Sequence, residues 1–173
     1  MGGIGHGTIS VMRFSVAQAF PTSVDRLLEL YTGTEMWGDL SGFSKVSAPE
    51  VLDRSERGSR VTLRLRYRFI ASLPSAATAV VDPKRLVWVE ETVTDLDAGT
   101  ATVAFQPEHY ASKLSASARV AYGGDGDASH RSVDGDLRVR VLLVGGQVER
   151  AITSGLSEHL AEEERAVLRL LNG

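Results

Sequence analysis

The stretch that decides the fold is Ser59–Phe69, which reads SRVTLRLRYRF. Apolar residues stand at every second position, and arginines or a threonine fill the positions between them. Because successive side chains of a β-strand point to opposite faces, this alternation predicts a strand with one buried face and one face in water. The buried positions would be Val61, Leu63, Leu65, Tyr67 and Phe69. Such a strand is typical of an antiparallel sheet that needs a second layer over its apolar face.

Segments of similar character lie on both sides of this strand, separated by Gly, Pro and Asp at the turns. We predict further strands at Arg13–Phe20, Phe43–Leu52, Ala76–Val81, Leu86–Asp95, Thr100–Gln106, Leu114–Tyr122 and Ser129–Val144. After the first strand, the apolar spacing of Val24, Leu27, Leu28 and Tyr31 predicts a short helix capped by Thr22. Thr34–Leu40 predicts a second short helical turn.

The last segment changes its apolar period from two residues to three or four after Gly145 and Gly146. This change predicts a C-terminal helix of about six or seven turns with one apolar stripe. The stripe consists of Val148, Ile152, Leu156, Leu160, Val167 and Leu171. A run of strands followed by a long helix favours an α+β fold with the helix laid on one face of the sheet.

The composition is that of one globular domain, with 173 residues of which 43% are hydrophobic and 24% charged. We expect a flexible leader over residues 1–11, where glycine is frequent, and a single domain over residues 12–173. The absence of cysteine excludes disulfides, thiolate metal sites and a cysteine nucleophile.

The charge balance and the motifs narrow the classes of partner. A net charge of −3 gives no reason to expect nucleic acid as a partner. No apolar run reaches the roughly 20 residues of a membrane span, and no export signal is visible, so we expect a cytoplasmic protein without membrane insertion. The four histidines lie in separate segments and the leader glycines precede the first strand, so we predict neither metal nor cofactor. The sequence favours no particular oligomeric state.

The order of elements resembles the helix-grip fold of the START-like (SRPBCC) superfamily, in an uncharacterised bacterial branch of unknown function. The residues that carry the resemblance are MRFSVAQAFPTSVDRLLEL from Met12, RVTLRLRYRF from Arg60 running into LP, and VRVLLVGGQVERAI from Val139. The resemblance implies a curved antiparallel sheet of about six to eight strands wrapped around the long C-terminal helix, with two short helices after the first strand. It also implies a cavity between helix and sheet that often holds an apolar ligand, and it transfers no catalytic motif.

The cavity that this fold implies has candidate lining residues in several elements. They are Tyr67, Leu65, Phe69, Trp88, Phe105, Tyr110, Ile152, Leu156, His159 and Glu163. His159 and Glu163 stand four residues apart within the apolar stripe, where they could act as a general base or bind a polar head group. The alternative is that both are solvated at a helix edge. For Tyr67, Trp88 and Tyr110 the alternative is ordinary core packing, and for the loop residue His109 it is simple exposure.

Three functions remain open at this stage. The first is a carrier or sensor that encloses a small hydrophobic molecule, lipid or polyketide-like. The second is an enzyme of the cyclase or dehydratase kind that uses the same cavity, with His159, Glu163 or Tyr67 handling protons. The third is an interaction module with a packed interior and a basic outer sheet face, although those arginines more often pair with Glu and Asp across strands. They are Arg60, Arg64, Arg66 and Arg68, with Arg138 and Arg140 as further members.

Overall fold

The computed structural model describes residues 10–140 and 145–173, which form an α+β helix-grip fold. Seven antiparallel strands make one sheet in the order β1-β7-β6-β5-β4-β3-β2. The strands are β1 (Ser10–Phe20), β2 (Glu50–Arg57), β3 (Arg60–Arg68), β4 (Val87–Asp95), β5 (Thr100–Pro107), β6 (Leu114–Asp125) and β7 (Ala128–Val139). The helices are α1 (Val24–Thr32), α2 (Glu35–Asp39), α3 (Ser75–Thr78) and α4 (Gly145–Asn172), with a 3-10 turn at Pro83–Arg85. The predicted fold class is confirmed.

The strand that was decisive in the sequence behaves as its alternation predicts. Val61, Leu63, Leu65 and Tyr67 of β3 are buried beneath the layer that covers the sheet. The arginines between them face outward. Arg64 pairs with Asp53 at 3.0 Å, and Arg66 pairs with Glu108 at 2.7 Å. For these two arginines, the expected pairing with acidic side chains is confirmed.

Helix α4 packs on the inner face of the sheet, chiefly against β1 and β7. Its stripe residues Val148, Ile152, Leu156 and Val167 are buried, as the period of three and four predicts. Leu160 and Leu171 pack at the margin and are half-buried. No helix of the described ranges combines the length and the apolar character that crossing a membrane requires.

The N-terminal cap of helix α1 lies one residue later than predicted. Ser23, and not Thr22, occupies the capping position, and its side chain accepts a hydrogen bond from the Arg26 backbone N–H at 3.2 Å. Gly33 ends the helix and donates its N–H to the Glu29 carbonyl at 2.9 Å. The second short helix falls within the predicted range at Glu35–Asp39.

The predicted strand Phe43–Leu52 is wrong over most of its length. Only Val46 forms a β-bridge there, with Phe69, and regular pairing begins at Glu50 in β2. Pro49 stands directly before β2 and has no N–H to donate to a ladder. The chain therefore reaches the sheet at an isolated point and joins it as a strand only after the proline.

The predicted strand Ala76–Val81 is also wrong, because Ser75–Thr78 forms the single turn of α3. The N–H groups of Ala77 and Thr78 both donate to the Pro74 carbonyl, at 2.9 and 3.1 Å. Alanine is the strongest helix former, and Ala76–Val81 contains three alanines. Helix propensity therefore decides the local structure, although the apolar residues suggested a strand.

The ends of three further strands differ by three or more residues from their predicted positions, and one of them is β6, which ends at Asp125 and not at Tyr122. β1 begins at Ser10, three residues before the predicted start at Arg13 and inside the predicted leader. β7 ends at Val139, whereas we predicted a strand to Val144. Residues 141–144 and the remaining leader, residues 1–9, lie outside the described residues.

Candidate functional site

Two chambers lie between α4 and the inner face of the sheet. The inner chamber has a volume of about 50 Å³, and none of its lining residues is exposed. It is lined by Phe14, Tyr31, Trp37, Leu63, Leu65, Tyr67, Glu90, Thr92, Val103, Phe105, Ala118, Val120, Tyr122, Arg131, Val133, Leu156, His159, Leu160 and Glu163. Charged and apolar side chains therefore share one enclosed space.

The outer chamber has a volume of about 60 Å³ and an almost wholly apolar wall. It is lined by Phe69, Leu86, Val87, Trp88, Phe105, Pro107, His109, Leu114, Ser115, Ala116, Leu137, Ile152 and Leu156. His109 is exposed and yet borders this chamber, so this end of the interior reaches the protein surface.

Phe105 and Leu156 line both chambers and form the partition between them. Beside the partition, the rings of Tyr67 and Trp88 stack with centroids 5.9 Å apart and planes 19° apart. Tyr67 borders the inner chamber and Trp88 the outer one. The two chambers are thus adjacent and share part of their walls.

A row of polar side chains crosses three neighbouring strands at the inner chamber. Gln18 on β1 lies opposite Arg131 on β7, which in turn lies opposite Tyr122 on β6. Directly paired residues share one face of a sheet. Because Val133 and Leu137 of β7 point inward, Arg131 at the same parity does so too, and only 8% of it is exposed.

Arg131 meets Glu163 of α4 in a buried ion pair. Its Nη1 lies 3.4 Å from Oε1 of Glu163 and donates to Oε1 of Gln18 at 2.9 Å, while Nε donates to the Tyr122 hydroxyl at 3.2 Å. The Tyr31 hydroxyl of α1 donates to the same Glu163 oxygen at 2.7 Å. Five elements of the fold, β1, α1, β6, β7 and α4, therefore meet at one carboxylate and one guanidinium.

The surroundings keep these groups in defined protonation states. Burial alone would lower the pKa of Arg131, but its interactions with Tyr122, Tyr31 and Glu163 outweigh burial and raise that pKa, so the guanidinium stays charged. Burial, followed by the nearby Glu163 charge, raises the pKa of Tyr31 well above its ordinary value. The Tyr31 phenol therefore remains a neutral donor to the carboxylate.

Glu90 is a second carboxylate in the inner chamber. It belongs to an inner-face row in which Leu65, Glu90 and Phe105 are directly paired across β3, β4 and β5. Trp88 donates its indole N–H to Oε1 of Glu90 at 3.3 Å. Burial raises the pKa of Glu90 to about 7, and the indole hydrogen bond offsets only part of that shift. Near neutral pH this carboxyl group exists in both protonation states.

His159 and Glu163 are both buried, with 5% and 3% exposed, so the alternative that they are solvated is wrong. The imidazole packs against Phe43 and Tyr67, with ring centroids 4.7 and 5.6 Å away. Burial lowers the pKa of His159, although Glu163 acts in the opposite direction. Within the described part of the chain, its Nδ1 has no hydrogen-bond partner. A neutral imidazole with a free nitrogen thus borders the inner chamber.

The structure places nine of the ten sequence candidates on a chamber wall. Leu65, Tyr67, His159 and Glu163 line the inner chamber, Phe69, Trp88 and Ile152 line the outer one, and Phe105 and Leu156 line both. Tyr110 lies outside both walls, on the loop that follows β5. His109, which we considered separately, borders the outer chamber from the same loop.

Sequence reasoning missed three polar residues of the inner chamber and its surroundings: Gln18, Glu90 and Arg131. Gln18 and Arg131 stand at the parity of apolar residues in their own strands, and that parity is visible in the sequence, whereas Glu90 stands at the opposite parity to Val87, Val89 and Val93. Gln18 has the parity of Phe14 and Phe20, and Arg131 that of Val133. A polar residue at an inward position was the signal that would have found Gln18 and Arg131, whereas the valine parity of β4 would have placed Glu90 on the outward face.

Within the described ranges, no group of three His, Asp or Glu side chains is placed to hold a metal ion.

Comparison with known proteins identifies both a family and a fold. A family described as a protein of unknown function, DUF2505, matches residues 15–171. No curated protein matches the sequence.

Several solved structures resemble this one throughout. The Zhui aromatase/cyclase from Streptomyces sp. R1128 is 14% identical with a TM-score of 0.59, covering 93% of this chain and 92% of its own. Norcoclaurine synthase from Thalictrum flavum in complex with dopamine and hydroxybenzaldehyde is 15% identical with a TM-score of 0.59, covering 99% and 92%. A START superfamily protein from Mycobacterium smegmatis is 17% identical with a TM-score of 0.56, covering 92% and 98%. At such identities the likeness establishes the fold, and the resemblance to START-like proteins is confirmed.

Replacing Glu163 by Gln tests the buried ion pair. The variant leaves the Arg131 charge buried without its counter-charge, so we expect the free energy of unfolding to fall by about 2–4 kcal/mol. Glu158→Gln is the matched control on the same helix, because Glu158 is exposed and pairs with Lys45 at 3.5 Å. We expect the control to change stability by less than about 1 kcal/mol. Urea denaturation of both variants measures this difference, and equal losses would contradict the assignment.

Replacing Glu90 by Gln tests its raised pKa. A carboxyl with a higher pKa in the folded than in the unfolded state binds protons more tightly when folded, so its stabilisation is complete below pH 4 and declines between about pH 4.5 and 7. The free energy of unfolding of Glu90→Gln, measured relative to that of wild type, should therefore rise by about 2–3 kcal/mol from pH 5 to pH 8.

The control for this experiment is Glu91→Gln, at the outward-facing neighbour on β4 whose carboxylate lies 3.6 Å from Arg64. We expect the free energy of unfolding of Glu91→Gln, relative to that of wild type, to show no comparable rise over the same pH range. Denaturation curves at the two pH values give the free energies of unfolding. If that free energy changes with pH equally in wild type and in Glu90→Gln, the raised pKa of Glu90 is refuted.

Proposed function

We propose, for a chain that belongs to the DUF2505 family of proteins of unknown function, that it binds a compact hydrophobic molecule between the sheet and α4, as a carrier or sensor. The observation that carries this proposal is the outer chamber, which has an apolar wall and reaches the surface at His109. Pockets for small molecules combine such apolar walls with a few polar groups that fix the ligand's orientation. Glu90, His159 and Arg131 supply polar groups at the inner end.

The size of the chambers limits what the protein can hold in this conformation. Their volumes of about 60 and 50 Å³ are each below the roughly 150 Å³ of an apolar cavity that accommodates benzene. Even joined, the two chambers are smaller than that cavity, so a ligand requires Phe105, Leu156 and other lining side chains to move and widen the space. A compact ring system fits such a space better than a long acyl chain.

The aromatic lining supports a ligand that contains a ring. Tyr67, Trp88 and Phe105 surround the partition, and aromatic rings favour offset stacking or edge-to-face contact with one another. Two proteins of the same fold point in this direction, since one is named an aromatase/cyclase and the other was solved with dopamine and hydroxybenzaldehyde. A protein that served only as an interaction module would have no need of these interior spaces.

Filling the outer chamber tests the proposal. Ala116 faces inward on β6 between Phe105 and Leu137, so Ala116→Phe would place a ring inside the outer chamber. We expect it to weaken binding of the neutral probe 2-naphthalenemethanol at least about tenfold, because the ring occupies the probe's volume. Isothermal titration calorimetry measures the dissociation constant.

Ala121→Phe is the matched control, since it makes the same change on the same strand at an exposed position. It should leave probe affinity within about twofold of wild type, and thermal denaturation checks that both variants fold. Failure of the unaltered protein to bind the probe below millimolar concentration would overturn the proposal, as would equal weakening by both variants.

A second candidate function is proton-transfer catalysis in the same cavity, as in the cyclase or dehydratase alternative. The observation that favours it is that Glu90, His159 and Tyr67 border one enclosed chamber. Burial raises the pKa of Glu90 to about 7, which suits a group that both takes and returns a proton near neutral pH. Burial raises the pKa of Tyr67 well above its ordinary value, so its phenol stays protonated as a donor.

Hydrogen exchange into a ketone tests this second candidate. A carboxylate at Glu90 would remove a proton from the carbon beside the carbonyl of 2-tetralone, and in D₂O a deuteron would return to that carbon. We expect wild type to accelerate this exchange over buffer by about a hundredfold or more, and Glu90→Gln to lose the acceleration. Proton NMR follows the exchange, with Glu91→Gln as the control. Identical rates with wild type, Glu90→Gln and buffer would dismiss catalysis by Glu90.

A further inference from the structure

Two basic side chains stand at the mouth of the outer chamber. Arg85 directly precedes Leu86, and Lys113 directly precedes Leu114, and both leucines line the chamber. Nη2 of Arg85 lies 3.4 Å from Nδ1 of His109, the exposed residue at which the chamber reaches the surface. Both cations are exposed, so each can meet a group that enters or leaves the chamber.

Tyr110 holds the two loops that carry these cations. The guanidinium of Arg85 and the ammonium of Lys113 both lie over its ring, 5.2 and 5.6 Å from the centroid. The Tyr110 hydroxyl accepts a hydrogen bond from the Asp82 backbone N–H at 3.0 Å. Contacts of this kind attract a cation to the face of an aromatic ring. They place the loop before β4 and the loop after β5 side by side.

The backbone of Tyr110 has a φ of 61°, in the left-handed region that residues other than glycine rarely adopt. Its carbonyl accepts hydrogen bonds from the N–H groups of Lys113 and Leu114, both at 2.8 Å. Conformations of this type persist where the surroundings impose them, and they are frequent at ligand sites. Here the turn brings Lys113 back toward Arg85.

In the part of the chain that the structure describes, the positive charge at this mouth lies within ion-pair distance of no carboxylate. Among the described residues, Arg85 and Lys113 form no ion pair, whereas Arg64 and Arg66 of the outer sheet face each pair with two carboxylates. The nearby Glu108 is already engaged by Arg66 at 2.7 Å. Unpaired cations on a protein of net charge −3 create a local potential that attracts anions.

We propose that the ligand of this cavity is an anionic amphiphile, whose carboxylate or phosphate binds Arg85 and Lys113 while its apolar body fills the outer chamber. The inference rests on the proposed ligand-binding function and specifies the chemical class of the ligand. An arginine and a lysine around one opening give a guanidinium fork and a point charge, which together suit an oxyanion. The apolar wall directly behind them suits the remainder of the molecule.

The test compares two probes that share a ring system and differ in charge, 2-naphthoate and 2-naphthalenemethanol. Their dissociation constants are measured by calorimetry with wild type, Arg85→Gln, Lys113→Gln and the double variant. We expect wild type to prefer naphthoate, and each single variant to lower that preference about three- to tenfold, because each removes one charge-assisted contact. Binding of the neutral probe should change by less than about twofold, since it makes no ionic contact.

Arg119→Gln is the matched control, because Arg119 is an exposed arginine on the outer face of β6, paired across the sheet with Thr102 and Asp134. It should leave both affinities unchanged. Raising the salt concentration should reduce the naphthoate preference of wild type and have little effect on the double variant.

The outcomes separate this inference from the proposed function. If neither probe binds wild type, the proposed function fails and the inference fails with it. If the neutral probe binds but naphthoate is not preferred, or the preference survives in the double variant, the anionic class is wrong and the binding function stands. A preference that is lost in the Arg85 and Lys113 variants and retained in Arg119→Gln supports the inference.

Discussion

The buried contact between Arg131 of β7 and Glu163 of α4 is the constraint on which the rest of the structure depends. Removing an ion pair from water costs both charges their hydration, so such a pair adds little net stability. It is nevertheless demanding in geometry, because either charge left alone in the interior is strongly unfavourable. Sliding α4 along the sheet would separate the two groups. The pair therefore fixes where the helix lies, and Gln18 and Tyr31 tie β1 and α1 to the same point.

This fixed position explains why space remains between α4 and the sheet. Apolar side chains in a core shift until they reach crystal-like packing density. Side chains held by directional hydrogen bonds to a charged centre cannot shift in that way without breaking those bonds. Arg131 and Glu163 line the inner chamber, and Phe105 and Leu156 line both chambers. Phe105 and Leu156 make no such bonds through their side chains, so they are among the residues that a ligand could displace most easily.

The sequence predicts this fold well where a local period determines the outcome, as in β3 and the stripe of α4. It fails at Phe43–Leu52 and Ala76–Val81, where apolar residues are buried by the rest of the protein without forming a strand, as the burial of Val46 and Ala77 shows. His159 and Glu163 were identified from their place in the stripe, but their neighbours were not. Glu163 meets Arg131 and Tyr31 across 32 and 132 residues of chain, and local periodicity carries no information on such distances.

The two ends of the interior differ in charge, and this difference gives a ligand one orientation. At the inner end the charges of Arg131 and Glu163 neutralise each other, and Glu90 adds no positive charge, so an anion would lose its hydration there without finding a free cation. At the mouth, Arg85 and Lys113 receive an anion while it remains partly hydrated. An amphiphile therefore enters with its uncharged end first. A carbonyl or hydroxyl at that leading end would meet Glu90 and His159, so the proposed anchoring at the mouth and the proposed proton transfer at the inner end would use different atoms of the same molecule.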